Sequence, residues 1–300
     1  MSSMAIPSIK DIVDVPLPPI HVVDIGAMQE GEDRYDALVT NGLARVTGFE
    51  PNPGQYQVLS QRQGPRRYLP YCLGDGKPAT MHATRYPGCS SLYEPDPAVI
   101  DLFTGMGAGE GRNFQVMQTV PLDTVRLDDV PDLGPVDYLK LDIQGSEVDV
   151  LRHGTQVLRS VLVLETEVEF LPLYKGQPLF ADVQSFLLAQ GFHLHKLIDL
   201  GGRCIRPYML NNNFAAPISQ LIFADAVFLR DLTRLDRFTN DELLKTASIL
   251  HDVYYSYDMV THFLREHDRR TGSALVDCYF QRAMAQGTLS TLFANIKLRG

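Results

Sequence analysis

The chain has 300 residues, of which 45% are hydrophobic and 21% charged, and its formal net charge is −9. This length can bury a large core as one domain, or as a domain with an appendage, and the acidic balance argues against a nucleic-acid partner because phosphate backbones attract basic surfaces. The start, "MSSMAIPSIKDIVDVPLPPI", has no basic head followed by an uninterrupted apolar run, and no later stretch approaches the ~20 apolar residues that span a bilayer; a cytoplasmic location is expected. The cysteines Cys72, Cys89, Cys204 and Cys278 lie far apart without paired metal spacing, so buried reduced thiols are expected rather than zinc or a disulfide framework.

In chain order, "IHVVDIGA" reads as a buried strand, "DRYDALVTNGL" as a helix ending near Asn41 and Gly42, and "ARVTGFEPNP" as a strand stopped by prolines. "PGQYQVLSQRQG" reads as a short helix, "RRYLPYCLGDG" as a third strand, and "ATMHATRYPGCSSLYEPDP" as a hairpin followed by a loop. "TGMGAGEGRN" is a glycine-laden loop, either a connector or a substrate gate, and it lacks the lysine and Ser/Thr ending of a nucleotide-triphosphate loop. "VDYLKLDIQG" is a buried strand and "SEVDVLRHG" the helix after it. "SVLVLETEVEF" supplies a fifth strand, "LFADVQSFLLAQG" a helix, and "FHLHKLI" and "QLIFADAVFLR" two more strands. The alternation predicts an α/β sheet, mostly parallel, with helices on both faces. After residue 235 no strands are expected; Thr239 and Glu242 form a capping-box start for an amphipathic helix, which divides the chain into 1–235 and a helical extension 236–300.

In such a sheet, ligands bind outside the carboxyl ends of the strands, so Asp24, Gly26, Glu50, Asp75 and Asp142 converge on one crevice. "DIGAMQEG" is not the three-glycine dinucleotide turn, and acids around it repel a pyrophosphate. A cationic or hydroxyl-bearing ligand is favoured. Glu50, ending the second strand, suits a ribose diol, because its two oxygens accept from two O–H donors.

A nucleoside joined to a sulfonium, as in S-adenosylmethionine, meets these requirements. The segments "VDIGAMQEG", "GFEPNP", "LGDG", "YLKLDIQGSEVDVLRHG", "LETEVEFLPLYKGQPLF" and "FADAVFLRD" resemble the successive motifs of FkbM-type S-adenosylmethionine-dependent methyltransferases, over residues 21–231. The resemblance implies a class I methyltransferase fold, a Rossmann-like seven-stranded sheet, and O-methylation of a sugar, glycan, or glycosylated or polyketide-like metabolite. It carries cofactor binding to Asp24, Gly26, Glu50, Asn52, Asp75 and Asp142. Met28, followed by Gln29, stands where the family usually has asparagine, and Gln144 where it usually has an acid.

Methyl transfer to a hydroxyl needs the acceptor oxygen aligned and its proton removed. Glu165 and Glu167 lie two apart on one face of a strand expected beside Asp142, so Asp142, Glu165 and Glu167 are the catalytic candidates. One acts as a general base, or several hold Mg²⁺ that acidifies the hydroxyl; the metal-free base is preferred. His82, His193 and His195 are weaker candidates, more often structural in such settings. Tyr86, Tyr93, Tyr254, Tyr255 and Tyr257 offer stacking surfaces for an acceptor, with core packing or a homo-oligomer interface as the competing role of the last three. A noncatalytic nucleoside-binding module and, less favoured, a dinucleotide-dependent oxidoreductase are the alternative functions.

Overall fold

The computed structural model describes residues 7–28 and 31–285, so Gln29 lies outside the described residues. The chain divides into two compact units, one of Met1–Ile20, Gly31–Arg45 and Thr233–Gly300, the other of His21–Glu30 and Val46–Leu232. The smaller unit gathers two segments from before residue 46 as well as the one that begins at residue 233.

The strands, in chain order, are β1 (Ile20–Ile25), β2 (Ala44–Phe49), β3 (Arg66–Leu69), β4 (Cys72–Leu73), β5 (Pro78–Thr84), β6 (Val116–Val125), β7 (Tyr138–Leu141), β8 (Val163–Glu169), β9 (Phe192–Gly202) and β10 (Leu221–Arg230). Seven form one sheet in the order β3-β2-β1-β7-β8-β10-β9. β1 runs parallel to β7, β7 to β8, and β2 to β3, while β10 is antiparallel to both β8 and β9. This is the class I methyltransferase sheet, mixed at one edge. All six residues of β1 are buried, as the β-branched run "IHVVDI" requires of a parallel strand covered on both faces. Val23, Ile25, Leu139, Leu141, Leu164 and Phe228 share its core, and each such side chain contributes about 1.5–3 kcal/mol of burial.

A second sheet, β4-β6-β5, departs from the expected pattern. The single third strand read in "RRYLPYCLGDG" is broken by Pro70 and Tyr71 into β3 and β4, which belong to different sheets. The expected hairpin in "ATMHAT" is instead β5 paired antiparallel with β6, a strand that the residue pattern does not reveal.

The helices are α1 (Asp36–Thr40), α2 (Pro53–Leu59), α3 (Pro97–Ile100), α4 (Glu147–Arg152), α5 (Phe180–Ala189), α6 (Asn240–Asp252), α7 (Tyr257–Thr271) and α8 (Leu275–Ala285). In the smaller unit, α6 opens with the expected capping box between Thr239 and Glu242 and packs on α7, which packs on α8. Asp252 at the end of α6 accepts from the Ser8 hydroxyl at 2.6 Å and the Ile9 N–H at 2.9 Å. His251 lies 2.7 Å from the Tyr279 hydroxyl and 2.9 Å from the Pro7 carbonyl. Tyr254 and Tyr257 are buried here, whereas Tyr255, at φ 53°, is exposed. No helix among the described residues is long and apolar enough to cross a membrane.

Candidate active site

A cavity of about 590 Å³ opens along the carboxyl ends of the main-sheet strands, and every residue lining it belongs to the sheet-bearing unit. β1 contributes Ile25 and then Gly26, the end of β2 contributes Phe49 and Glu50, and the turn after β7 contributes Asp142, Ile143 and Gln144. Gly26 sits at φ 85°, and a Cβ there would lie 2.0 Å from the Asp142 carbonyl oxygen. Only glycine permits both the turn and this approach.

Glu50 is buried, and its Oε1 accepts the Asn52 N–H at 2.7 Å. Burial pushes its pKa up, the Asn52 N–H pulls it down, and the Asp24 charge adds to the rise. Asn52 lines the cavity beside it, but its side-chain oxygen caps α2, accepting from Gly54 and Gln55 N–H at 2.9 and 3.1 Å. Asp24 does not line the cavity; it is fully buried within β1, with the Lys140 ammonium 3.3 Å away. Asp75 stands apart from the cavity. Its carboxylate turns to its own loop, accepting the Lys77 N–H at 2.9 Å and meeting the Lys77 ammonium at 3.1 Å.

The catalytic candidates separate in the same way. Asp142 and Glu167 both line the cavity, and Glu169 joins them. Glu165, on the same strand face, sits deeper, almost fully buried, where its Oε2 accepts from the Tyr138 hydroxyl at 2.9 Å. Gln144 links the two acids that line the cavity: its amide nitrogen donates to Asp142 Oδ1 at 3.2 Å and to Glu167 Oε2. The amide oxygen at the other end is 3.0 Å from the Tyr174 hydroxyl, which is also 3.0 Å from the Cys89 carbonyl. Gln144 holds φ 56°, and its carbonyl accepts from the Ser91 hydroxyl at 2.6 Å.

Burial raises the Glu167 pKa well above the usual range, and Asp142, Glu169, Glu147 and Asp225 raise it further by like-charge repulsion. Glu169 is raised for the same reasons, burial first and then Glu147. Glu147, fully buried at the start of α4, is pushed up to about 7 by burial although its Oε1 accepts the Ile143 and Gly145 N–H groups at 3.0 and 3.2 Å. Among the described residues no group of three or more His, Cys, Asp or Glu has a metal-holding arrangement.

The second sheet supplies an apolar wall. Met81 and Ala83 from β5 and Gln118, Val120 and Leu122 from β6 line the cavity at every second residue, the single-face spacing of a strand. The "RYPGC" loop adds Tyr86 and Cys89, and the glycine-laden loop adds Gly105, Met106, Asn113 and Phe114. Tyr93 turns away, donating to Asp149 Oδ2 at 2.6 Å. None of His82, His193 and His195 lines the cavity; His193 lies 3.7 Å from Asp231.

Residues 24–194, more than half of the chain, match the model of the methyltransferase FkbM domain. The chain belongs to the FkbM methyltransferase family. Its members' methyl donor, S-adenosylmethionine, is therefore the cofactor of this protein. No curated protein sequence matches this FkbM methyltransferase. Among solved structures, it is similar to a candidate methyltransferase from Thermoplasma acidophilum, with TM-score 0.37 and 11% identity over 72% of this chain and 70% of that one. It is also similar to a cysteine-to-alanine variant of LepI in complex with SAH and a substrate analogue, with TM-score 0.34 and 10% identity over 77% and 50% of the two chains. The 23S rRNA methyltransferase ErmE gives TM-score 0.31 and 11% identity over 93% and 94%.

Sequence reading of this FkbM methyltransferase missed Glu169 and Glu147. The first was within reach, since the alternation in "ETEVE" that pairs Glu165 with Glu167 extends two residues further. The apolar wall from β6 carried no readable signal, and neither did Arg203, which also lines the cavity.

Proposed function

We propose that this methyltransferase moves the donor's methyl group to a hydroxyl oxygen of an apolar, polyketide-like or glycosylated metabolite. The observation that carries the reading is one cavity with Glu50 and Asn52 at one end and the Asp142, Glu167 and Glu169 carboxylates further along the same sheet edge. Glu50 has the chemistry to accept two ribose O–H groups, and Gly26, Asn52 and Asp142 flank it. The acids also favour a cationic ligand over a pyrophosphate. When bound, the donor supplies a methyl group on a sulfonium, a good leaving group.

Glu167 is the general base in this reading. Its raised pKa strengthens its hold on the acceptor's proton once the carboxylate is ionised, and the Gln144 amide holds its orientation. Asp142, sharing that amide, raises the affinity further. The β5 and β6 wall excludes water and favours an acceptor with an apolar body; a bare sugar would leave hydroxyls facing Val120 and Leu122 without partners. The testing experiment is incubation with labelled S-adenosylmethionine and fractionated metabolites, followed by mass analysis. Gain of one methylene unit on an oxygen, lost in the Glu167→Gln variant, supports the reading; methylation on nitrogen or carbon, or none from any fraction, overturns it.

A further inference from the structure

We infer that Arg203 binds a carboxylate on the methyl acceptor, so that the substrate is an apolar hydroxy acid rather than a neutral molecule. The inference rests on the donor and acceptor reading above. Arg203 directly follows β9, whereas Glu50 follows β2, and the two strands are five positions apart in the sheet order. At about 4.8 Å per strand, this puts Arg203 at the end of the sheet opposite the nucleoside grip.

The guanidinium is held in place but incompletely used. Its Nη1 donates to the Gly202 carbonyl at 2.7 Å and approaches the Ala215 carbonyl at 3.4 Å. Its Cζ stands 5.9 Å from the centre of the Phe223 ring. That ring fits because Gly201 has no side chain; a Cβ there would come within 2.2 Å of it. The Arg203 Nε is buried with no hydrogen-bond partner, and no carboxylate among the described residues pairs with the side chain. Burial pulls its pKa down, yet a guanidinium stays protonated throughout the ordinary range. A cation in partly desolvated surroundings is costly until an anion meets it. Beside the Phe223 ring, the same cavity is lined by the apolar side chains of Met106, Phe114, Leu173 and Phe214. An apolar chamber closed at one end by an unpaired, oriented guanidinium matches an apolar body with an anionic head, and in such a setting a charge-assisted hydrogen bond is strong.

The test is calorimetry on the full chain with ω-hydroxyoctanoate and octanediol, two ligands alike except for the carboxylate, each measured with and without S-adenosylhomocysteine. Wild type is expected to prefer the hydroxy acid by about tenfold or more, the range for a hydrogen bond to a charged group. Arg203→Gln removes the preference and Arg203→Lys keeps part of it, with melting temperature and S-adenosylhomocysteine affinity unchanged in both. The inference is overturned if wild type binds neither ligand or shows no preference, if Arg203→Gln keeps the preference, or if a folded Arg203→Gln loses S-adenosylhomocysteine instead, which would assign the guanidinium to the donor's own carboxylate. Failure of S-adenosylhomocysteine to bind wild type sinks the donor reading alone, because the two-ligand comparison without it still decides the role of Arg203.

Discussion

The carbonyl oxygen of Asp142 occupies the space a side chain on Gly26 would need, with 2.0 Å between it and an ideal Cβ. The two ends of β1 and β7 are tied further by the Asp142 N–H, which donates to the Ile25 carbonyl at 2.9 Å. Gly26→Ala therefore meets both a left-handed backbone and a backbone clash, neither of which a rotamer change relieves. We expect a loss of at least ~2 kcal/mol in urea unfolding, together with weakened donor binding. A variant as stable as wild type would show that the β1 turn relaxes freely.

Glu50 and Asp75 are equivalent candidates in the sequence, and the fold makes them differ. Glu50→Ala should weaken S-adenosylmethionine binding by about 1.5–3 kcal/mol, the range for hydrogen bonds to a charged group. Asp75→Ala should leave it unchanged, because that carboxylate serves Lys77 in an open loop. Titration calorimetry of the two variants side by side checks both statements, and the reverse ranking would reject the ribose assignment.

Glu167 and Glu165 offer a second matched pair. Glu167→Gln should lower turnover about 10²–10⁴-fold with donor affinity kept. In wild type the rate should fall as pH drops below the raised Glu167 pKa, where the base is already protonated. Glu165→Met should retain turnover and cost about 1–3 kcal/mol of stability by removing the acceptor of the buried Tyr138 hydroxyl. If chelator abolishes turnover and Mg²⁺ restores it, a metal replaces the free base.

The raised Glu147 pKa sets a pH dependence of stability. Its pKa is near the ordinary 4.5 when unfolded and about 7 when folded, so the folded state binds the proton more tightly. The resulting stabilisation is fully present below about pH 4.5 and is lost as pH rises through about 7, with ~1.4 kcal/mol going for each pH unit crossed between the two values. Melting temperature should decline across that window. Glu147→Gln, whose amide oxygen can still accept from Ile143 and Gly145, should flatten the decline. Parallel slopes for wild type and variant would contradict it.

β1, in the middle of the sheet, was legible because a parallel strand buried on both faces favours an apolar, β-branched run. β6 was not, since "VMQTVPLDTV" mixes polar residues and a proline; only its pairing with β5 reveals that Gln118, Val120 and Leu122 share a face. Period-two spacing placed Glu165 and Glu167 on one side of β8 but carried no information on depth, which decides which of them meets the cavity. For Asp75 the motif located the strand end, while the side-chain direction depended on a turn whose geometry spacing does not encode. Asn52 shows a further limit, because the residue type that suits a ligand also suits a helix cap.

The smaller unit is assembled from three separated pieces of chain, with Asp252 and His251 gripping residues 7–9. During synthesis from the N-terminus, Ser8 and Ile9 must wait until more than two hundred further residues have emerged before their partners exist. The sheet-bearing unit, complete by residue 232, can fold while its companion is still an unfinished set of fragments. A ribosome paused between those two points holds a chain in which Ser8 and Ile9 still lack the Asp252 carboxylate they donate to.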